Sequence, residues 1–175
     1  MKGKRTVISE VEDRDEFMRR HRHPGVEFIE NLKTYPVAPR RLRGNAGAYF
    51  ELGDNRVLDA HISEIRPGGH GKKHRHSNEA IVYVLAGRGY SVIEKEGTDP
   101  KRFDWREGSL LNVPQMAWHQ HFNQDKEKPA RYLAITCVPL LTRLGLQIIE
   151  QPAQEETGEA PPPPARSRPR ARTRR

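Results

Sequence analysis

From Ala48 to Val138 apolar and polar residues alternate in short runs, the period of strands with one buried face. The runs cover residues 56–65, 79–85, 90–94, 103–106, 109–113, 118–123 and 131–138. Turn residues separate them at Pro67-Gly68-Gly69, Ala86-Gly87-Arg88-Gly89 and Glu107-Gly108, and a charged loop fills 124–129. Many short strands at regular spacing predict an all-β sandwich or barrel, with 90–94 returning as the antiparallel neighbour of 79–85. No internal repeat is present, so the pattern describes one such unit.

The flanks read differently. Residues 9–21 predict a helix: Ser9 and Glu12 have capping-box spacing, Val11, Phe17 and Met18 give a narrow apolar stripe, and Pro24-Gly25 ends it. Residues 26–32 predict a second short helix anchored by Phe28, Ile29 and Leu32. An extended basic connector, 35–43, follows. A closing helix is expected over 140–150. From Gln151 the chain is polar, with Pro161–Pro164 and then alternating arginines. Such a segment cannot bury enough apolar surface to order itself, so a disordered tail is expected. The domain reading is an N-terminal arm (1–46), a β-barrel (47–150) and a Pro/Arg-rich tail (151–175).

Charge sharpens this division. The 175 residues carry a formal net charge of +8. The six arginines from Arg166 onward, with no acid among them, supply most of it and leave the rest near neutral. The tail can contact anionic surfaces, but no aromatics are interleaved to stack on bases. Mean hydropathy is −0.88 and no run approaches the roughly 20 apolar residues of a membrane span. The apolar stretch after the basic N-terminus is too short for a signal peptide. A cytoplasmic protein without membrane association is expected. The single cysteine, Cys137, excludes an internal disulfide and is expected to be a buried small hydrophobe.

The chemistry is concentrated in histidines. His74 and His76 stand at i, i+2, on one face of a strand, so both can reach one metal ion. A third ligand is sought in 108–123. Glu79 is out of phase with Ala80, Val82 and Val84 and should face away from them. His21-Arg22-His23 has the same spacing on a helix, where the rings splay apart, and reads as solvated basic surface. Arg75 and Arg88 read as surface, His70 as a cap at a pocket mouth, and Trp118 and Tyr83 as packing bodies. Three neutral imidazoles would suit Fe(II), Zn, Ni or Cu.

Gly68, His74, His76 and Gly87, followed by Gly108, Pro114, His119 and Asn123, resemble the two paired motifs of the cupin superfamily. Met116 stands where the second motif has glycine, and Ala80 where the first has glutamate. The resemblance spans roughly Ala48 to Leu144. It implies a double-stranded β-helix, a jelly-roll barrel, with His74, His76 and His119 as metal ligands. His-Arg-His-x-x-x-Ala together with Trp118-His119-x-His121-x-Asn123 looks like the gentisate and salicylate ring-cleaving dioxygenases, which are usually two-cupin chains. That resemblance implies Fe(II), with Zn, Mn, Ni or Cu as other metals, O2, and a bidentate small acid. His121 is the candidate for holding substrate or O2 or for moving a proton, and His61, Val82 and Trp118 are candidate pocket walls. Pocket walls from a partner subunit would make a homodimer. A ligand-binding regulatory cupin and a Zn or Mn isomerase are the other expected classes.

Overall fold

The computed structural model describes residues 6–153. In chain order the elements are β1 (Val7–Ser9), α1 (Val11–His21), β2 (Arg22–Val26), β3 (Ala38–Arg40), β4 (Asn45–Leu52), β5 (Asp59–Ile65) and β6 (Arg75–His76). Then come β7 (Ala80–Ala86), β8 (Arg88–Glu94), β9 (Lys101–Arg106), β10 (Leu110–Val113), β11 (Trp118–Asn123), β12 (Ala130–Thr136), α2 (Val138–Arg143) and β13 (Ile149–Pro152). The large sheet runs β10-β7-β12-β5-β4-β2, with β3 also on β4. Two three-stranded sheets, β11-β8-β9 and β1-β13-β6, make the other wall. A His74–His119 bridge links these two. The result is the expected all-β jelly roll with few helices.

The core follows strand alternation. In β7, Ala80, Val82 and Val84 are buried while Ile81 and Tyr83 are exposed. Ala80 and Val82 join Ile65, Tyr132 and Ala134 of the large sheet, and Ile93 of the opposite wall, in one interior cluster. A second cluster lies on the outer face of β4 and β5. There Phe50 and Ile62 are covered by Val26, Ile29, Leu32 and Tyr35 of the N-terminal arm.

Several local expectations give way to tertiary contacts. Residues 26–32 form no helix; the chain enters β2 and then turns. The Arg131 guanidinium donates to the carbonyls of Leu32 and Tyr35, and so stabilises a bent path that a helix would not allow. His23 lies on β2 and stacks on Phe50, so it is not the free surface group expected. The helix start uses Glu10 as its cap without a side-chain capping bond, and Ser9 Oγ accepts from Val11 N instead. β8 does not pair with β7. It crosses to the other wall and pairs with β9 and β11. Gly87 makes that corner: its φ is 90°, and a Cβ there would lie 2.8 Å from Ala130 Cα. Tyr83, expected to pack inside, is 43% exposed on the outer face. Cys137 is half-buried at the start of α2.

The expected helix over 140–150 is only the short α2. It is followed by β13, which pairs with both β1 and β6 and closes the wall. β13 runs to Pro152, and buried Gln151 donates to Leu42 O, so ordered structure continues past the expected boundary at 150. The Pro/Arg-rich stretch lies outside the described residues. No described helix is long and apolar enough to cross a membrane.

Candidate metal centre

Two segments bring the three histidines together, the stretch through β6 and strand β11. His74 and His119 exchange two backbone hydrogen bonds, His74 N to His119 O (3.0 Å) and His119 N to His74 O (2.8 Å). This places their side chains as direct cross-strand neighbours. His76 follows two residues on, with Arg75 between them turned outward to Glu150 at 2.6 Å. Ring centroids are separated by 4.1 Å (His74–His119), 4.7 Å (His76–His119) and 5.7 Å (His74–His76). One ring nitrogen from each lies within 4.8 Å of the other two.

Backbone carbonyls fix which nitrogen is available. Nδ1 of His74 faces Lys72 O at 2.8 Å, that of His76 faces Asn78 O at 2.7 Å, and that of His119 faces Ala117 O at 2.8 Å. A carbonyl only accepts, so each Nδ1 carries the proton and donates. Each Nε2 then holds a lone pair. This second contact is what orients a metal-binding imidazole. The rings are also held neutral. Burial, followed by the positive field of Arg43, pushes His76 down to about 4. Burial, and after it neighbouring positive groups, also puts His74 and His119 well below their ordinary value. The donor set therefore fits a divalent ion that prefers imidazole nitrogen. Among the described residues no carboxylate joins it: Ala80 lines the cavity, while Glu79 is exposed.

His121 shares the face of His119 and lies on the same cavity. Its Nδ1 is 2.6 Å from Ser91 Oγ, which accepts from Trp105 Nε1 at 2.9 Å. Ser91 is fully buried. The three groups are satisfied when the serine hydroxyl donates to Nδ1, leaving a proton on Nε2. Gly89 makes room for this chain, since a Cβ there would come within 2.4 Å of the Trp105 ring. Burial pushes His121 down to about 4, so it too is neutral.

His61 and Val82 line the cavity, and Trp118 does not. Trp118 alternates with His119 on β11 and packs outside under Arg75, whose guanidinium carbon is 4.7 Å from the ring. His70 also lies outside the cavity, against Phe122 and Gln120. Arg88 is exposed, 3.7 Å from Asp125.

Arg14, Arg40, Arg43 and Tyr49 also line the cavity, and sequence reasoning had not placed them there. They come from α1, the end of β3, the turn after it and β4. The basic connector carried the only signal for Arg40 and Arg43, and nothing in the sequence pointed to Arg14 or Tyr49. Arg14 pairs with Asp59 at 3.3 Å and Arg43 with Glu10 at 2.6 Å, both acids being nearly inaccessible. The cavity they share with the histidines has a volume of about 50 Å³.

Residues 61–136 match the cupin domain family. The chain is 29% identical over 96 residues to a 1-hydroxy-2-naphthoate 1,2-dioxygenase of Nocardioides sp. (strain KP7), covering 55% of this chain and 23% of that one. It is 30% identical over 90 residues to a 5-aminosalicylate 1,2-dioxygenase of Comamonas sp., covering 51% and 22%. The chain thus spans less than a quarter of the length of these relatives. Among solved structures, oxalate decarboxylase from Lactobacillus farciminis superposes with a TM-score of 0.53 at 18% identity, covering 61% of this chain and 32% of that one. At that identity the likeness speaks for the fold alone. Domain match, jelly-roll topology and paired histidine motifs agree: the chain is a member of the cupin superfamily that resembles its ring-cleaving dioxygenases.

Proposed function

We propose that the chain is a mononuclear non-haem dioxygenase in which His74, His76 and His119 hold Fe(II) through Nε2. Its substrate is a chelating acid, and the hydroxylated aromatic acids of the resembled enzymes are the first class to test. The observation that carries this reading is the convergence of three neutral, backbone-anchored imidazoles with no carboxylate among them. Such a set leaves the ion's full double charge to be met by substrate, which favours an anionic, bidentate ligand. The dioxygenase names of the two relatives support O2 as the second substrate. Bound iron(II) would supply a common binding point for acid and O2 and the electrons that activate O2.

The chain's own residues do the rest. Ala80, Val82 and Val113 give the cavity an apolar wall that limits water around the bound acid. His121, with its Nδ1 turned to Ser91, offers an Nε2 proton to an oxygen developing negative charge. His61 stands on the same wall as Val82, beyond Ala134 of β12, and contacts the substrate body.

Metal analysis of tag-free protein should give about one divalent ion per chain. His76→Ala should abolish binding while Glu79→Ala retains it, and full occupancy in His76→Ala would defeat the ligand assignment. Iron-loaded protein is then tested by oxygen electrode against hydroxybenzoates, catechols and thiol acids. Tight binding with no oxygen uptake would transfer the protein to the ligand-binding class.

A further inference from the structure

Most of the cations at the cavity are accounted for, and one is not. Arg14 has Asp59 and Arg43 has Glu10. Arg40 is 7% exposed and among the described residues makes no ion pair. Its one hydrogen-bond partner is the Tyr49 hydroxyl, which accepts from Nη1 at 2.8 Å. That hydroxyl keeps its own proton to donate. Tyr49 is paired across β4 and β5 with His61, ring centroids 4.8 Å apart. Nδ1 of His61 is shielded from solvent and has no hydrogen-bond partner. A buried guanidinium without a counter-charge and a buried ring nitrogen without a partner are both costly unless something completes them. They adjoin each other on the same cavity as the histidine triad.

The space sets the size of what completes them. The cavity has a volume of about 50 Å³. The residues that narrow it, Arg14, Arg40, Arg43 and Tyr49, all precede the stretch that matches the cupin family. We propose that this arm converts the cupin pocket into a chamber for a short acid with two anionic ends, one directed to the metal triad and the other held by Arg40, Tyr49 and His61. Salicylate carries its carboxylate and phenolate together at one end, so it has no second anionic end for Arg40. This rests on the metal-site reading for the first end only. The second end is a property of Arg40, Tyr49 and His61 by themselves.

The test is calorimetric titration of Zn(II)-loaded and metal-free protein with malonate, acetate and salicylate. Charge-assisted hydrogen bonds of the kind Arg40 offers translate into about tenfold or more in affinity. Malonate should bind the loaded protein at least about tenfold more tightly than acetate or salicylate. Arg40→Gln should remove that margin without changing metal stoichiometry, leaving acetate affinity as it was. If Arg40→Gln does not fold, Tyr49→Phe keeps the ring contacts and should weaken malonate several-fold. Salicylate binding as tightly as malonate, or equal losses for acetate and malonate in the variant, would overturn the proposal. Failure to bind Zn(II) would overturn the metal reading instead, and the metal-free titration would then decide this one. There malonate should still bind more weakly to Arg40→Gln than to wild type, and equal binding would refute it.

Discussion

Asn123 ties together the parts of the barrel that lead to the histidines, and removing its amide tests that role. It is 4% exposed. Nδ2 donates to Ile65 O (3.2 Å), Arg66 O (3.2 Å) and Lys128 O (2.8 Å), Oδ1 accepts from Asp125 N (2.9 Å), and its backbone N donates to Gly69 O (2.9 Å). The side chain therefore holds the end of β5 and the loop that leads to β12, while the backbone amide holds the glycine turn that leads to His74. Asn123→Ala leaves these carbonyls without their donor. At about 1 kcal/mol net per lost bond, and more where a group is left unsatisfied, the cost is about 3 kcal/mol. That is a large part of the roughly 5–15 kcal/mol of a typical domain. Asn123→Asp should be worse at neutral pH, because a carboxylate facing carbonyl oxygens can only repel them. Burial and those oxygens would raise its folded pKa above the unfolded value near 4. Its protonated form regains a donor, so the gap between the Asp and Ala variants should narrow on acidification and widen as pH rises. Urea unfolding of metal-free protein followed by circular dichroism measures both effects. An Asn123→Ala variant within about 0.5 kcal/mol of wild type, or an Asp variant more stable than the Ala variant at neutral pH, would refute this account.

Two further outcomes follow from the backbone and the histidines. Met116 sits at φ 53°, where a β-branched residue is strained far more than glycine. Met116→Val should therefore be less stable than Met116→Gly by about 2 kcal/mol, and equal thermal midpoints would count against the strain argument. In the metal-free protein, burial holds His76 and His121 near 4 instead of the ordinary 6.5. The unfolded chain takes up protons first as pH falls, so stability is present above about pH 6.5 and is lost on acidification, by about 1 kcal/mol per histidine at about pH 5.5. A flat stability profile between about pH 7 and 5 would contradict this.

What the sequence discloses and what it hides divide along a physical line. The alternation of Ala80, Val82 and Val84 against Ile81 and Tyr83 survives because β7 is central in its sheet, with one face in the core. The triad survives as spacing because its partners are local: each Nδ1 is held by a carbonyl two residues away, at Lys72, Asn78 and Ala117. The bend at 26–35 was hidden because its backbone is satisfied by Arg131, nearly a hundred positions away. The crossover of β8 was hidden because a glycine corner looks the same in sequence whether the next strand pairs or departs.

The arginine wall belongs to the hidden class for the same reason, and this bears on function. Arg14, Arg40 and Arg43 come from a helix, a strand end and a turn, so no period relates them and no motif could announce them. They also lie before the stretch that carries the cupin match. On the proposed reading the histidine motifs set the chemistry the barrel supports, with carbonyls two residues away holding each ring. On the proposed reading the arm selects the acid, because Arg14, Arg40 and Arg43 reach the cavity from α1, β3 and the turn after it. Similarity confined to the barrel therefore bears more on the metal site than on the substrate, since Arg40 and Tyr49, two of the three residues proposed for the far end of the ligand, precede the shared part.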